Sequence, residues 1–422
     1  MSTGRPSAGV LSLLRQNAAF RALWLSRAIS FFGDSLGDIA LLLFVAGDAG
    51  TGTAVALLLL VGDFTPTLLS PFSGTLSDRL DRKRLMIGCE LSQGAIITAI
   101  ALVGMPLPMI LGLVAFRSLL ASLFQPASRS AVTALVANRD LENANAALGF
   151  GTHGFELVGP LVGTAVLPLV GVRGMLLADA VTFLASALLL VRLPTLPRAS
   201  TGDAATGSFL REAAAGLGYI WRIRPLRILT AGFGAVVAFA ASDDVALVFL
   251  AQGPLGGSEA TTSLIYAGAG TGLLAGFLLV AGYGSRAPAM LLFLLGFGVS
   301  SAGNLFTGLS WAIPVAFAMQ VVRGVGISMI DVGTNTFVQR IVPPGMQGRV
   351  FANLYGAIGL AAGLSYAVGG PLLDATGPRV VLAIAGLGGL AATAAMWLAL
   401  PGVMRSDDPG TPHRASEPAQ PT

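Results

Sequence analysis

Gly74-Thr75-Leu76-Ser77-Asp78-Arg79-Leu80-Asp81-Arg82-Lys83-Arg84 is a charged stretch set between two apolar runs, 52–74 and 85–104. An α-helix needs about 20 residues to cross a hydrocarbon core roughly 30 Å thick, and both runs meet that length. The stretch therefore reads as a short loop joining two membrane spans. Outward from it, further apolar windows centre on 21–46, 107–135, 144–168, 174–193, 228–251, 260–281, 288–307, 311–338, 350–373 and 379–400, which brings the spans to twelve. The expected fold class is an all-α polytopic membrane protein.

Composition agrees with a chain solvated by lipid. Of its 422 residues 54% are hydrophobic and 11% charged, against about a quarter charged in soluble domains. The single Cys89 excludes an intramolecular disulfide framework and any multi-cysteine metal site. His153 and His413 stand far apart, which argues against a metal centre. The basic residues sit in short loops and form no nucleic-acid patch. Their placement reports topology instead: Arg15, Arg79, Arg82, Lys83, Arg84, Arg139, Arg222, Arg286, Arg340 and Arg349 fall on one side, with Arg173 and Arg379 on the other. Positively charged loops stay in the cytoplasm, so both termini are expected there. No cleavable signal is evident, because the first apolar segment is a full span containing Arg27, Asp34 and Asp38.

The longest polar connection, 194–227, separates six spans (1–193) from six (228–404), and a proline- and serine-containing tail, 405–422, reads as disordered. Phe209, Leu210, Leu217, Tyr219, Ile220 and Trp221 alternate with arginines toward the end of the connection, the pattern of an amphipathic helix lying in the membrane interface. The two halves echo each other. Asp38 and Asp244, Arg117 and Arg323, and Gln125 and Asp331 are each 206 positions apart. Intramembrane arginines are rare, so the Arg117/Arg323 match outweighs any coincidence of glycines. Parallel six-helix repeats imply a pseudo-two-fold axis along the membrane normal with a site between the halves.

The ordered pattern Gly74-x-x-x-Asp78-Arg79-x-x-Arg82 at the end of the second span resembles the cytoplasmic signature loop of the major facilitator superfamily. Many members carry glycine where Asp81 stands. The counterpart in the second half, Gly282-Tyr283-Gly284-Ser285-Arg286, is degraded. Arg117 through Phe124-Gln125-Pro126-Ala127-Ser128-Arg129, with Asn143-Ala144-Asn145-Ala146 beyond, is similar to the exporter branch that includes macrolide and siderophore efflux proteins, although Ala121 replaces a glycine usual there. In the fifth span Gly149, Gly154, Gly159-Pro160 and Gly163 form a glycine face; its Gly-Pro-x-x-Gly end resembles the signature of drug/proton antiporters, and close helix packing explains the same face equally well. The resemblance implies the major facilitator fold of two pseudo-symmetric six-helix bundles, a cavity lined by spans 1, 4, 7 and 10, a cytoplasmic gate built from Gly74, Asp78, Arg79, Arg82 and Asp331, and a monomer that uses a proton gradient and no cofactor.

Charges inside the membrane cost about 2.5–3.5 kcal/mol or more each unless hydrated or paired. They concentrate in the spans the resemblance assigns to the cavity: Asp34 and Asp38 with Arg27 in the first, Arg117 in the fourth, Asp243 and Asp244 in the seventh, and Arg323 with Asp331 in the tenth. Spacings of seven and four put Arg27, Asp34 and Asp38 near one helix face. The mechanistic expectation is that Asp34 and Asp38 bind a proton in exchange for substrate, with Arg117 modulating them; a fixed structural ion pair is the competing reading. Glu156, with His153 three residues before it, is a further coupling candidate. Asp63 and Asp179 read as packing or interface groups.

No Gly-x-x-x-x-Gly-Lys-Ser/Thr loop is present, since Lys83 is the sole lysine. No convergent constellation for enzyme chemistry stands out. A secondary transporter of a bacterial inner membrane is the expected function, exporting small amphipathic compounds. A proton-coupled uptake symporter and a non-transport signalling or assembly protein on the same fold are the alternatives.

Overall fold

The computed structural model describes residues 10–79, 81–137, 140–195, 209–283 and 288–400; for 67–79, 142, 146, 149–157, 209–213, 282–283 and 344 it describes the helical course alone. Fourteen helices follow one another with no strand among the described residues: α1 Val10–Gln16, α2 Ala18–Ala49, α3 Gly52–Arg79, α4 Arg82–Leu102, α5 Leu107–Leu135, α6 Leu141–Val191, α7 Phe209–Arg222, α8 Arg224–Ala240, α9 Asp243–Gln252, α10 Glu259–Tyr283, α11 Ala289–Gly308, α12 Ile313–Ile341, α13 Pro344–Thr376 and α14 Pro378–Ala399. Among the described residues ten helical segments are long and apolar enough to cross a membrane, and α3 adds a further apolar helix over Gly52–Pro66. The long run α6 holds two spans, because Gly171 leaves the helical region at φ 68°, ψ 175°, a conformation glycine adopts without steric cost. The seventh span is divided between α8 and α9. Together these supply the twelve spans that the hydropathy predicts.

Local chemistry explains several boundaries. Asn17 accepts a hydrogen bond from Phe20 N at 2.9 Å and caps α2. Asp81 does the same for α4, accepting from Arg84 N at 2.9 Å. The charged stretch expected to be a loop is therefore mostly helical. Helix α3 runs through Gly74 to Arg79 and α4 starts at Arg82. The turn can be this short because Asp81 supplies a capping oxygen that glycine would not.

The break in the seventh span falls at Ala241-Ser242. Irregular backbone at membrane depth survives only where protein satisfies it. Here Ser365 of α13 does so: its Oγ accepts from Ser242 N at 3.2 Å, and its carbonyl accepts from Ser242 Oγ. The result is a fresh helix start whose first two residues are Asp243 and Asp244, where the helix dipole favours carboxylates.

One core cluster draws on both halves, joining Leu36–Ala46, Ala54–Leu58 and Leu176 to Val245, Leu250, Tyr366, Leu373 and Leu382. Two others stay within one half each, around Phe20, Met86 and Leu190 and around Phe293, Phe337 and Leu354. Cross-half packing runs through α3 with α13 and α6 with α10. The halves are thus pressed together at the end holding the α2–α3 and α13–α14 turns; α1 and α7 lie toward the opposite end. Helix α7 docks on the second half, along α8 and α13.

At the closed end Asp374 of α13 accepts three hydrogen bonds from the start of α3: Gly52 N at 2.5 Å, Thr53 N at 3.1 Å and Thr53 Oγ1 at 2.5 Å. The carboxylate both caps α3 and fastens one half to the other. Replacing Asp374 by alanine is expected to remove about 1–2 kcal/mol from the closed arrangement, the low side of the range for charge-assisted bonds because the site is exposed. The distance between spin labels on the two outer turns should broaden toward longer values; an unchanged distribution would show that apolar packing alone holds this end.

Candidate functional site

The first-half cluster is built from two helices that run antiparallel. Asp34 and Asp38 lie one turn apart on α2, and Arg117 of α5 reaches both, through Nη2 to Asp34 Oδ1 and through Nη1 to Asp38 Oδ1 at 3.1 Å. Its guanidinium lies 5.8 Å from the Phe183 ring centroid, where cation–π attraction adds to the charge pairing. The Arg117 side chain is 14% exposed while that of Asp38 is 62% exposed, so the pair presents its carboxylate to open space and its cation to protein. Behind it Asp179 is fully buried. Room for it exists because α2 carries Gly33 and Gly37: a Cβ at Gly33 would come within 2.7 Å of Asp179 Oδ1. Arg27 is engaged elsewhere, with Nη1 on Ser128 Oγ at 2.7 Å and Nη2 on Gln125 Oε1 at 3.3 Å.

The second-half cluster repeats this chemistry with deeper burial. Arg323 of α12 places Nη2 2.8 Å from Asp243 Oδ2 and 3.7 Å from Asp244 Oδ1. Asn304 of α11 donates to Asp243 Oδ2 at 2.6 Å. Asp243 is 1% exposed, whereas the Asp244 side chain is 37% exposed. Gln320 joins the network, accepting from Arg323 Nη1 at 3.4 Å and donating to Thr307 Oγ1 at 3.1 Å. Helices α11 and α12 come close enough for this because of small residues; a Cβ on Gly303 would meet Arg323 N and Cα at 2.9 Å. The equivalence seen in the sequence holds in space: Asp38 pairs with Arg117 as Asp244 pairs with Arg323.

Between the clusters lies a cavity of about 710 Å³ whose wall includes Asp34, Asp38, Asp63, Arg117, Asp244, Gln93 and Tyr266 amid Ile39, Leu42, Leu58, Leu59, Val114, Leu273 and Ile327. Its size falls within the range of small-molecule sites, and its mix of a mostly apolar wall with few polar groups is typical of them. Asp63, read from sequence as a packing or interface group, lines this space and accepts a hydrogen bond from Tyr366 OH of the other half at 3.2 Å. Pro160 also reaches the wall. Gly159 packs on Ser35, and Gly163 faces Ser263, whose hydroxyl donates to the Pro160 carbonyl at 2.8 Å. This part of the glycine face therefore joins α6 to α2 and α10. Asp331 stands apart from the cavity wall, its Oδ1 accepting from Asn335 Nδ2 at 2.9 Å, and Arg82 opens α4. Of the remaining candidates, Gly74, Asp78, Arg79, His153, Gly154 and Glu156 lie outside the residues described beyond their helical course.

Sequence reasoning passed over Glu90, which is 1% exposed in the middle of α4. It was visible as a lone carboxylate in an apolar run, the same signal that singled out Asp34. Tyr266, Asn304 and Gln320 were not visible in this way, because uncharged polar residues are common in spans.

The sequence profile of the Major Facilitator Superfamily matches residues 23–352. The chain belongs to that superfamily. Two curated relatives carry the similarity over most of the length. The uncharacterized MFS-type transporter YfiS of Bacillus subtilis is 27% identical over 391 residues, 89% of this chain and 91% of the relative. Macrolide efflux protein A of Streptococcus pyogenes is 22% identical over 346 residues, 79% of this chain and 84% of the relative. Among solved structures, a mutant of the nucleoside transporter NupG superimposes with a TM-score of 0.76 at 12% identity, covering 90% of this chain and all of that one; a likeness at this identity speaks for the fold. As a major facilitator protein the chain is a multi-pass membrane transporter of small molecules.

Proposed function

We propose that this transporter is a proton-coupled exporter of small amphipathic compounds, driven by the proton gradient without a cofactor and working as a monomer by alternating access in a bacterial inner membrane. The observation that carries the reading is the shared cavity with a carboxylate–guanidinium cluster on each side. A proton arriving at Asp34 or Asp38 competes with Arg117 for the same oxygens, and an amphipathic substrate competes for the same space. Coupling needs no more than this mutual exclusion. With the arginine-rich loops in the cytoplasm, the end fastened through Asp374 faces outward, and an exporter loads its substrate from the other side. The distant similarity to macrolide efflux protein A supports the direction.

Everted membrane vesicles test it. With a proton gradient imposed, adding erythromycin or ethidium is expected to dissipate the gradient in vesicles containing the protein and not in vesicles lacking it. Inward symport would show the opposite dependence on the gradient. Absence of compound-dependent proton flux across a broad panel would favour a signalling or assembly role on this fold and would overturn the proposal.

A further inference from the structure

Beside the central cavity, and sharing Phe31, Asp34, Gln93 and Ala121 with its wall, lies a second small pocket of about 40 Å³. It reaches inward from Asp34 to Glu90. A polar pocket of this size has room for a water molecule, whose share of liquid volume is about 30 Å³. Glu90 is almost completely buried, and its Oε2 meets no hydrogen-bond partner among the described residues. A buried carboxylate left in this way is costly, whereas the neutral acid is far less so. The groups facing it from the packed elements are Arg27, Ser30 and Asp34 of α2, Gln125 of α5, and Asp179 and Ser186 of α6. The one cation among them does not serve as a dedicated partner. Arg27 spends its two terminal nitrogens on Ser128 and Gln125 and lies over Phe31 at 5.0 Å.

We propose that Glu90 is a second proton-carrying residue, exchanging its proton with Asp34 through water in this side pocket. The inference rests on the reading of Asp34 as the cavity's proton acceptor and extends it to a reservoir behind the cavity. The exchange is balanced: Glu90 in its acid form gives a proton to the water as that water gives one to the Asp34 carboxylate. Glu90 ends as carboxylate, Asp34 as acid, and the water is unchanged. The direction reverses when Arg117 closes on Asp34 and favours its charged form. A proton taken up at the cavity can thereby be held out of reach of the substrate while the cavity is occupied.

The test uses the purified full-length protein and solution pH as the only probe, so it does not depend on knowing the substrate. Acid–base infrared difference spectra report each carboxyl group by the carbonyl band of its protonated form. Glu90→Gln is expected to remove one such band, and Asp34→Asn to shift the midpoint of that band, because the two sites interact. If Glu90→Gln and wild type give identical spectra across the neutral range, Glu90 does not titrate and the proposal falls. A Glu90 band whose midpoint ignores Asp34→Asn overturns the exchange. Should Glu90→Gln fail to insert, Ser186→Ala removes a hydroxyl facing the carboxyl and should displace the same band; no displacement counts against the assignment. Failure of the export reading would appear separately, in the vesicle assay, with the Glu90 band intact.

Discussion

Exchanging Asp34 and Asp38 together for asparagine is expected to abolish transport driven by a pH gradient. Asparagine keeps the shape of both side chains and removes the charge, so the Arg117 guanidinium loses both partners while the helices keep their packing. Removing one side of a buried ion pair typically costs about 3–5 kcal/mol. Here the open carboxylate side, with Asp38 62% exposed, lets water solvate part of the change and places the cost at the lower end of that range. Inserted protein should therefore still be recovered. The single Asp38→Asn change should be milder than Asp34→Asn, because Asp34 is the less exposed of the two, at 28%. A pH-sensitive dye trapped in proteoliposomes reads the outcome. Proton-coupled flux at the wild-type rate in the double variant would remove both residues from the mechanism and leave the cluster as a structural brace.

The second large effect concerns stability. Arg323→Met should strand Asp243, which is 1% exposed and whose Oδ1 already lacks a hydrogen-bond partner among the described residues. With the guanidinium gone, only neutral donors such as Asn304 remain on the carboxylate, and a loss of about 3–5 kcal/mol is expected. Adding Asp243→Asn should recover most of it, since the neutral amide carries no uncompensated charge. Thermal unfolding in detergent of the two single variants and the double variant gives the coupling between the residues directly. Additive losses would mean that the pair contributes nothing beyond its separate side chains. The same two changes in the first half should be less severe, because that cluster borders the cavity more openly.

Hydropathy was enough to count the spans, since a lipid-crossing helix needs a length of apolar sequence that little else in a protein requires. The paired clusters were legible for a related reason: charge is so disfavoured in a span that Arg117 and Arg323 stood out singly, and their common spacing from Asp38 and Asp244 supplied the pairing. What escaped was local or non-local in character. The start of α4 at Arg82, directly after the charged stretch, depended on a cap at Asp81, one residue whose oxygen accepts from Arg84 N. The break at Ala241-Ser242 depended on Ser365, more than a hundred positions away, and no window of sequence contains both. Glu90 differs: its own span marks it as a lone carboxylate in an apolar run, and only its surroundings, drawn from α2, α5 and α6, are non-local.

The grip of Ser365 on Ser242 has a mechanical meaning. It ties the eleventh span to the very point where α9 begins, so α13 braces the helix start that carries the carboxylates of Asp243 and Asp244. That helix is also the one fastened to α3 across the halves. If the proposed alternating access separates α3 from α13, that displacement is expected to reach the helix start that carries the second cluster through the same serine pair.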